Sequence, residues 1–116
     1  MFRVLRDARL RGFLLHLHYV CCDDPELALL RIRARAEAGG HDVPPEAAAR
    51  RYARSLANLR QAIAACDRSI LYVYDTTAGI ARQVAIYLGP RCAWVSDAGS
   101  LPHWYVSSAG PAGRAA

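Results

Sequence analysis

Apolar residues recur along the chain with two different periods, which predict a mixture of helices and strands. Phe2 and Leu5 lie on helical spacing among arginines, so residues 2–11 are predicted to form a short amphipathic helix that ends at Gly12. The run 13–22 is apolar and aromatic with little polar alternation. That pattern is typical of a strand buried on both faces, as the strands of parallel sheets are.

Two helices are predicted between this strand and Asp67. The sequence Asp23-Asp24-Pro25-Glu26 is typical of a helix start, because a capping carboxylate precedes a proline and a further acid. This helix is expected to run to about Ala38 and to end at Gly39-Gly40, and Val43-Pro44-Pro45-Glu46 starts the next one. Apolar residues at i, i+4, i+7 and i+11 define the buried stripe of the second helix: Tyr52, Leu56, Leu59 and Ile63.

Shorter apolar runs predict the remaining strands, at residues 70–75, 83–88 and 92–95, and the last two flank Gly89-Pro90 and can form a hairpin. A strand, a helical crossover and another strand fit an α/β layer with a parallel sheet. Helices mostly on one side of such a sheet leave an apolar face uncovered. We therefore expect a single partial domain, half of a larger fold, with residues 107–116 as a disordered tail.

Composition narrows the function classes. The chain has 116 residues, of which 53% are hydrophobic and 22% charged, as in one globular domain, and no apolar run is long enough to cross a membrane. All 15 basic residues are arginine, against 10 acidic ones, so the net charge is +5. Without lysine there is no Schiff-base chemistry and no P-loop of the form G-x-x-x-x-G-K-[ST]. A high-GC genome also favours arginine, so function has to be argued from positions.

The cysteines and histidines do not predict a metal site. No C-x-x-C spacing is present, and the adjacent Cys21 and Cys22 should point to opposite faces of a strand. His16 and His18 share one face of that strand, but no third ligand follows at an obvious spacing. The N-terminal sequence lacks the apolar segment of a signal peptide, so we expect reduced thiols and a cytoplasmic location.

Arginines on the two predicted helices are the first candidates for binding chemistry. Arg31 and Arg35 are four residues apart, so both leave one helix face, where they are either solvated or able to clamp a polyphosphate. The next helix carries a polar stripe at i, i+4 and i+7 with a further arginine beside it: Arg51, Ser55, Asn58 and Arg54.

Two turns are candidates for the rest of a site. Gly39-Gly40-His41-Asp42 joins the arginine-bearing helices, and it is either an ordinary helix cap or the hinge of a basic lid like those of phosphoryl-transfer enzymes. His41 either donates to phosphate or lies exposed in this loop. The turn Asp75-Thr76-Thr77-Ala78-Gly79 ends a strand at the edge where α/β folds bind ligands, and it either borders a nucleotide base or is a plain turn.

The string HLHYVCCDDPELALLRIRARAEAGGHDVPPEAAARRYARSLANL resembles the second half of the zeta-toxin-like P-loop kinases. In that family a strand followed by Ser/Asp-Pro-Glu-Leu-Ala leads into R-V-x-x-R-V-x-x-G-G-H-x-V-P and then R-R-Y-x-R-S-L-x-N-L. The resemblance covers roughly residues 9–106, more weakly from Tyr72 to Gly79 and at Leu101-Pro102-His103-Trp104. The matching positions are Arg31, Arg35, Gly39, Gly40, His41, Val43, Pro44, Arg50, Arg51, Tyr52, Arg54, Ser55, Leu56, Asn58 and Leu59.

The resemblance implies an ATP- and Mg²⁺-dependent phosphotransferase acting on a nucleotide sugar such as UDP-N-acetylglucosamine. It implies an α/β fold consisting of a partial P-loop-kinase-like parallel sheet with flanking helices and a helical lid. It assigns the site residues in three groups: Arg31 and His41 to catalysis at the γ-phosphate, Arg35, Arg51 and Arg54 to the ATP phosphates, and Asp75, Thr76 and Thr77 to the adenine side.

The half of the family that carries the P-loop and the general base is missing from this sequence. Arginines alone attract ATP but do not position it for in-line transfer, so we expect the chain to be inactive without a P-loop half. The candidate protein partners are that missing half or an antitoxin. The alternative is a small basic protein that binds nucleic acid or a protein partner. Nucleic-acid binding has the weaker support, because no RRM, zinc-finger or helix-turn-helix signature is present.

Overall fold

The computed structural model describes residues 2–22, 30, 33–34, 37–39, 45–75, 78–97 and 101–109. Within these ranges the predicted helix at residues 2–11, the predicted helix that starts near Pro45 and the four predicted strands are present, with bounds that differ by a few residues. The predicted helix from Asp23 to about Ala38 lies largely outside the described residues. The structure adds one short helix near the C-terminus. In chain order the elements are α1 (Phe2–Leu10), β1 (His16–Cys22), α2 (Pro45–Ala65), β2 (Arg68–Asp75), β3 (Ile80–Leu88), β4 (Arg91–Val95) and α3 (His103–Ser108).

The four strands form one sheet in the order β1-β2-β3-β4. Only β1 and β2 are parallel, while β2–β3 and β3–β4 are antiparallel. The prediction of a parallel sheet is therefore wrong for β3 and β4. A parallel connection needs a crossover of about a dozen residues or more, whereas β2, β3 and β4 are joined by short turns. The described residues show a mixed α/β fold, and nothing in them indicates a P-loop kinase fold.

The prediction that β1 is buried on both faces is also wrong. Exposure alternates along the strand: Leu17, Tyr19 and Cys21 are partly or fully buried, while His16 and His18 are exposed. The reason is that described helices pack on only one face of the sheet. We call the other face the open face; it consists of the even-numbered residues of β1 and β2 and the residues that pair with them in β3 and β4.

The hydrophobic core lies between the covered face of the sheet and the helices α2 and α3. Leu59 and Ile63 of α2 are buried against Leu71 and Val73 of β2, and Tyr52 and Leu56 pack at the edge of this cluster. The predicted stripe of α2 is therefore confirmed. Residues three and four apart lie on one helix face, while alternate residues of a strand lie on one sheet face, so the two patterns meet in a single layer.

The prediction of a disordered tail is wrong for residues 107–109, because α3 and Ala109 belong to the folded structure. Trp104, Tyr105 and Ala109 are buried. The Tyr87 hydroxyl donates a 2.8 Å hydrogen bond to the carbonyl of Ala109, and the Tyr105 hydroxyl lies 2.8 Å from the same oxygen of Tyr87. Residues 110–116 lie outside the described ranges.

The amphipathic helix α1 ends as predicted, with Gly12 at a positive φ of 90°. An ion pair of 3.4 Å joins Arg9 to Asp67 at the junction between α2 and β2. The other carboxylate oxygen of Asp67 accepts a 2.7 Å hydrogen bond from the backbone N–H of Leu15. These contacts fix α1 and the start of β1 against the same corner of the sheet.

Candidate functional site

A cavity of about 350 Å³ lies between β1 and the α2 segment from Arg51 to Ala62. Its floor is apolar and is formed by Leu17, Leu59 and Ala62, and its wall carries the polar stripe of α2. The helical spacing i, i+4, i+7 puts Arg51, Ser55 and Asn58 on this side, with Arg54 beside them, and Tyr19 closes the cavity from β1.

The polar groups of the cavity are mostly hydrogen-bond donors. Arg51 and Arg54 are exposed, and neither guanidinium forms an ion pair with a described residue. Asn58 adds an amide, and the described lining includes no carboxylate. Two positive charges above an apolar floor, with no counterion among the described residues, suit an anion that also presents an apolar surface. Guanidinium groups bind phosphate and carboxylate oxygens in a bidentate manner.

Tyr19 supplies one more donor at neutral pH. The Ser55 hydroxyl donates a 2.7 Å hydrogen bond to Tyr19 Oη, so the proton of Tyr19 is left for another acceptor. Burial raises the pKa of Tyr19, and the hydrogen bond from Ser55 opposes this by lowering the pKa. The phenol therefore stays protonated near pH 7 and remains a donor.

Behind the cavity, Cys21 and Tyr52 join β1 to α2 in the core. Cys21 Sγ lies 3.6 Å from Tyr52 Oη and donates to it. Burial raises the pKa of the Cys21 thiol to about 11, with a smaller opposing effect of the hydrogen bond to Tyr52. This thiol is thus a packing group, since the thiolate is the nucleophilic and metal-binding form. Among the described residues no three His, Cys, Asp or Glu side chains come together as a metal site requires.

No family model, curated protein or solved structure matches this chain significantly. The resemblance to the zeta-toxin-like kinases therefore stays a prediction from the motif. None of the described helices has the length and apolar character to span a membrane.

Of the predicted site residues in the described ranges, the structure brings two together and separates a third. Arg51 and Arg54 line the same cavity. Asp75 is not part of the described cavity lining. Leu71 pairs with Tyr19 of the cavity, and Asp75 lies four residues further along β2, a distance of about 13 Å. The remaining predicted site residues, namely Arg31, Arg35, His41, Thr76 and Thr77, lie outside the described residues.

Asp75 shows the geometry of a turn. Its carboxylate accepts a 3.0 Å hydrogen bond from the backbone N–H of Ala78, and its carbonyl accepts one of 2.8 Å from Gly79. Gly79 has a φ of 75°, a conformation that favours glycine. These two hydrogen bonds are those of a plain turn, while an adenine-side role stays a prediction.

Leu17 and Tyr19 belong to the cavity, although the sequence did not single them out. Their alternation with His16 and His18 was the available signal, since it places them on the face that the helices cover. Which helix covers them depends on how the chain returns from β1 to β2, and that long-range packing has no local signature.

Proposed function

We propose that this chain is the lid-side and adenine-side portion of a zeta-toxin-like ATP-dependent kinase and that its cavity holds phosphate groups of the nucleotide. The observation that supports this most directly is the convergence of Arg51 and Arg54 on one cavity with Ser55 and Asn58. All four belong to the R-R-Y-x-R-S-L-x-N-L stretch on which the resemblance rests.

The size and chemistry of the cavity are compatible with part of a nucleotide. A volume of about 350 Å³ is at the small end for ligand sites, and the donor groups of Arg51, Arg54 and Tyr19 complement phosphate oxygens. The lack of a carboxylate in the described lining makes it a poor site for Mg²⁺, which binds oxygen ligands such as carboxylates. We therefore assign only the anionic groups to this cavity and derive no step through the metal.

Nucleotide titration tests the binding half of this proposal. Calorimetric titration with ATP, inorganic triphosphate and adenosine should show binding of the first two and none of adenosine. Arg51→Gln and Arg54→Gln should each weaken ATP binding about tenfold, since a charge-assisted hydrogen bond contributes about 1.5–3 kcal/mol. Arg60→Gln is the matched control, because Arg60 is exposed on the same helix but does not line the cavity.

An equal loss of ATP affinity in all three variants would show that net charge, not the cavity, attracts ATP.

The kinase half of the proposal needs a separate measurement. Co-expression with a neighbouring P-loop half, followed by an assay of phosphate transfer to a nucleotide sugar, should give activity that Arg51→Gln lowers. A genomic neighbourhood with no G-x-x-x-x-G-K-[ST] sequence would contradict the kinase assignment and leave anion binding only.

A further inference from the structure

The open face of the sheet is basic and aromatic, and it lies away from the cavity. Its described residues include Arg68, Arg91, Tyr72, Tyr74 and Trp94, and none of them is acidic. Exposed side chains such as Val20, at 55% exposure, and Trp94, at 45%, show that no described element packs over it. A net charge of +5 on the whole chain adds to the local excess of positive charge.

The basic residues of this face form one row across the sheet. The strand register places His16 beside Arg68, Arg68 beside Leu88 and Leu88 beside Arg91. Neighbouring strands are about 4.8 Å apart, so the row is about 14 Å long, and its imidazole and guanidinium groups lie on three different strands. We call it the basic row. Its length allows contact with more than one phosphate of an extended chain.

A second, smaller cavity opens beside the basic row. It has a volume of about 160 Å³ and is lined by His16, His18 and Arg68 with Leu17 and Ile70. The imidazole and guanidinium groups offer N–H donors, and Ile70 adds an apolar wall. A single phosphate group fits this combination of size and donors better than a cation does, because the only formal charge in the lining is that of Arg68.

Aromatic rings lie directly next to the basic row. Trp94 pairs with Ile86 in the adjacent row of the sheet, and His18 lies in that same row. The rings of His18 and Tyr72 are stacked, with centroids 6.0 Å apart and an angle of 17° between their planes, and His18 Nδ1 is 3.1 Å from Tyr72 Oη. Unpaired bases stack on aromatic side chains of a sheet, while neighbouring positive charges neutralise the phosphates of the nucleic acid.

We propose that the open face binds single-stranded nucleic acid. The basic row, formed by His16, Arg68 and Arg91, contacts the phosphates, and Trp94 and Tyr72 stack on bases. The absence of acidic groups from the described part of this face favours a polyanion as the occupant, and the exposed ring of Trp94 favours one with unpaired bases. The proposal is independent of the kinase assignment, since it uses the opposite face of the sheet from Arg51 and Arg54.

Tryptophan fluorescence tests this directly because the chain has two tryptophans in opposite environments. Trp94 is on the open face, whereas Trp104 is 3% exposed in the core. Titration with oligo(U) and oligo(dT) at 50 mM salt should quench the emission of Trp94, and a Trp94→Phe variant should lose most of the quenching while it still binds. The two oligonucleotides separate an RNA preference from a general one, and a duplex of equal length should bind more weakly.

Fluorescence anisotropy of a labelled oligonucleotide measures the contributions of the two groups of residues. Trp94→Ala should weaken binding about tenfold, in line with about 1–3 kcal/mol per stacked base, and Trp94→Phe should recover part of the loss. Arg68→Gln and Arg91→Gln should each weaken binding and each reduce the salt slope by about 0.7, as expected for one phosphate contact on a single strand. Arg60→Gln is the matched control, because it removes the same charge from an exposed position of α2 that lines neither cavity.

Three results would overturn the proposal. One is no quenching of Trp94 and no binding at 50 mM salt. Another is an equal loss of affinity in Arg68→Gln and in the control Arg60→Gln, which would mean attraction by net charge alone. The third is concentration-dependent self-association that Trp94→Ala abolishes while nucleic acid has no effect, which would make the open face a protein interface. Circular dichroism and thermal unfolding of each variant show that its fold is retained.

Discussion

Ser55 of α2 donates a 2.7 Å hydrogen bond to the Tyr19 hydroxyl of β1. This contact joins the helix that carries the cavity arginines to the edge strand that closes the cavity. It also sets the ionisation of Tyr19, because burial raises the pKa of the phenol and the Ser55 hydroxyl lowers it. The position of the cavity wall and the donor character of Tyr19 therefore depend on the same pair of side chains.

Replacement of Ser55 by alanine should raise the pKa of Tyr19 further, since it removes the group that stabilises the phenolate and leaves the burial unchanged. The free energy of unfolding should fall by about 0.5–1 kcal/mol for one hydrogen bond. NMR titration of the Tyr19 Cζ carbon measures the first effect, and urea denaturation the second. Ser107→Ala is the control, because the Ser107 hydroxyl bonds the carbonyl of His103 within its own helix. An unchanged Tyr19 pKa would show that the contact is not formed in solution.

Because Cys21 is buried, the free energy of unfolding should fall as the pH rises into the alkaline range. The pKa of this thiol in the folded chain is about 11, above its ordinary value of 9.0, so the folded chain binds more protons than the unfolded chain between these values. The contribution of Cys21 to the free energy of unfolding is fully present below about pH 9 and is lost as the pH rises to about 11. The total loss is at most about 2–3 kcal/mol. Urea denaturation at pH 7.5, 9 and 10.5 measures this loss.

The variant Cys21→Ala isolates the contribution of this thiol. Other buried groups whose pKa is raised, such as Cys66 and Tyr87, are present in both proteins and cancel in the comparison. The alanine variant should be less stable at pH 7.5, because it loses a packed sulfur, and its stability should fall less steeply above pH 9. Parallel curves for the two proteins would contradict the prediction.

Tyr87 should be among the most sensitive core positions. Its single hydroxyl proton goes to the Ala109 carbonyl, so Tyr105 must donate to Tyr87. Tyr87→Phe therefore removes the donor of the Ala109 carbonyl and the acceptor of the Tyr105 hydroxyl, both buried, at a cost of about 2–4 kcal/mol. Thermal and urea unfolding measure this loss of stability. Tyr74→Phe, at a half-buried position of the open face, should change the stability by less than about 0.5 kcal/mol. Similar losses in both variants would show that the network adds nothing.

The sequence predicted those parts of the fold in which local periodicity determines burial. Leu59 and Ile63 lie on the predicted face of α2, and that helix begins near its proline pair, because both features are local. The two faces of β1 were not predicted. The run from Phe13 to Cys22 is apolar on both sides, and its alternation becomes informative only when it is known that described helices cover a single face.

The helix α3 was missed for a related reason. Six residues after Pro102 are too few for a periodic pattern, and the burial of Trp104 and Tyr105 comes from contacts with distant residues such as Tyr19 and Tyr87. Only one side of the cavity was predicted, for the same reason. Its arginine side follows from spacing on one helix, whereas its β1 side depends on packing between segments far apart in sequence.

Ser69 offers a position where the natural residue lowers stability. Its side chain is 0% exposed, and its hydroxyl has no hydrogen-bond partner among the described residues. A buried hydroxyl without a partner has lost its hydrogen bonds to water and gained none, so Ser69→Ala should raise the free energy of unfolding by about 1 kcal/mol. Urea denaturation should show a higher midpoint with an unchanged m value.

Ser69→Thr is the informative companion variant. Threonine keeps the hydroxyl and adds a methyl group to a packed site between Leu17 and Tyr87, its partners in the sheet. It should be destabilising by about 1–3 kcal/mol, because a close-packed core does not accept an extra methyl group without displacement. A loss of stability in Ser69→Ala would instead mean that a buried water satisfies the hydroxyl in solution, and a water signal lost from the alanine variant in NMR cross-relaxation experiments would identify it.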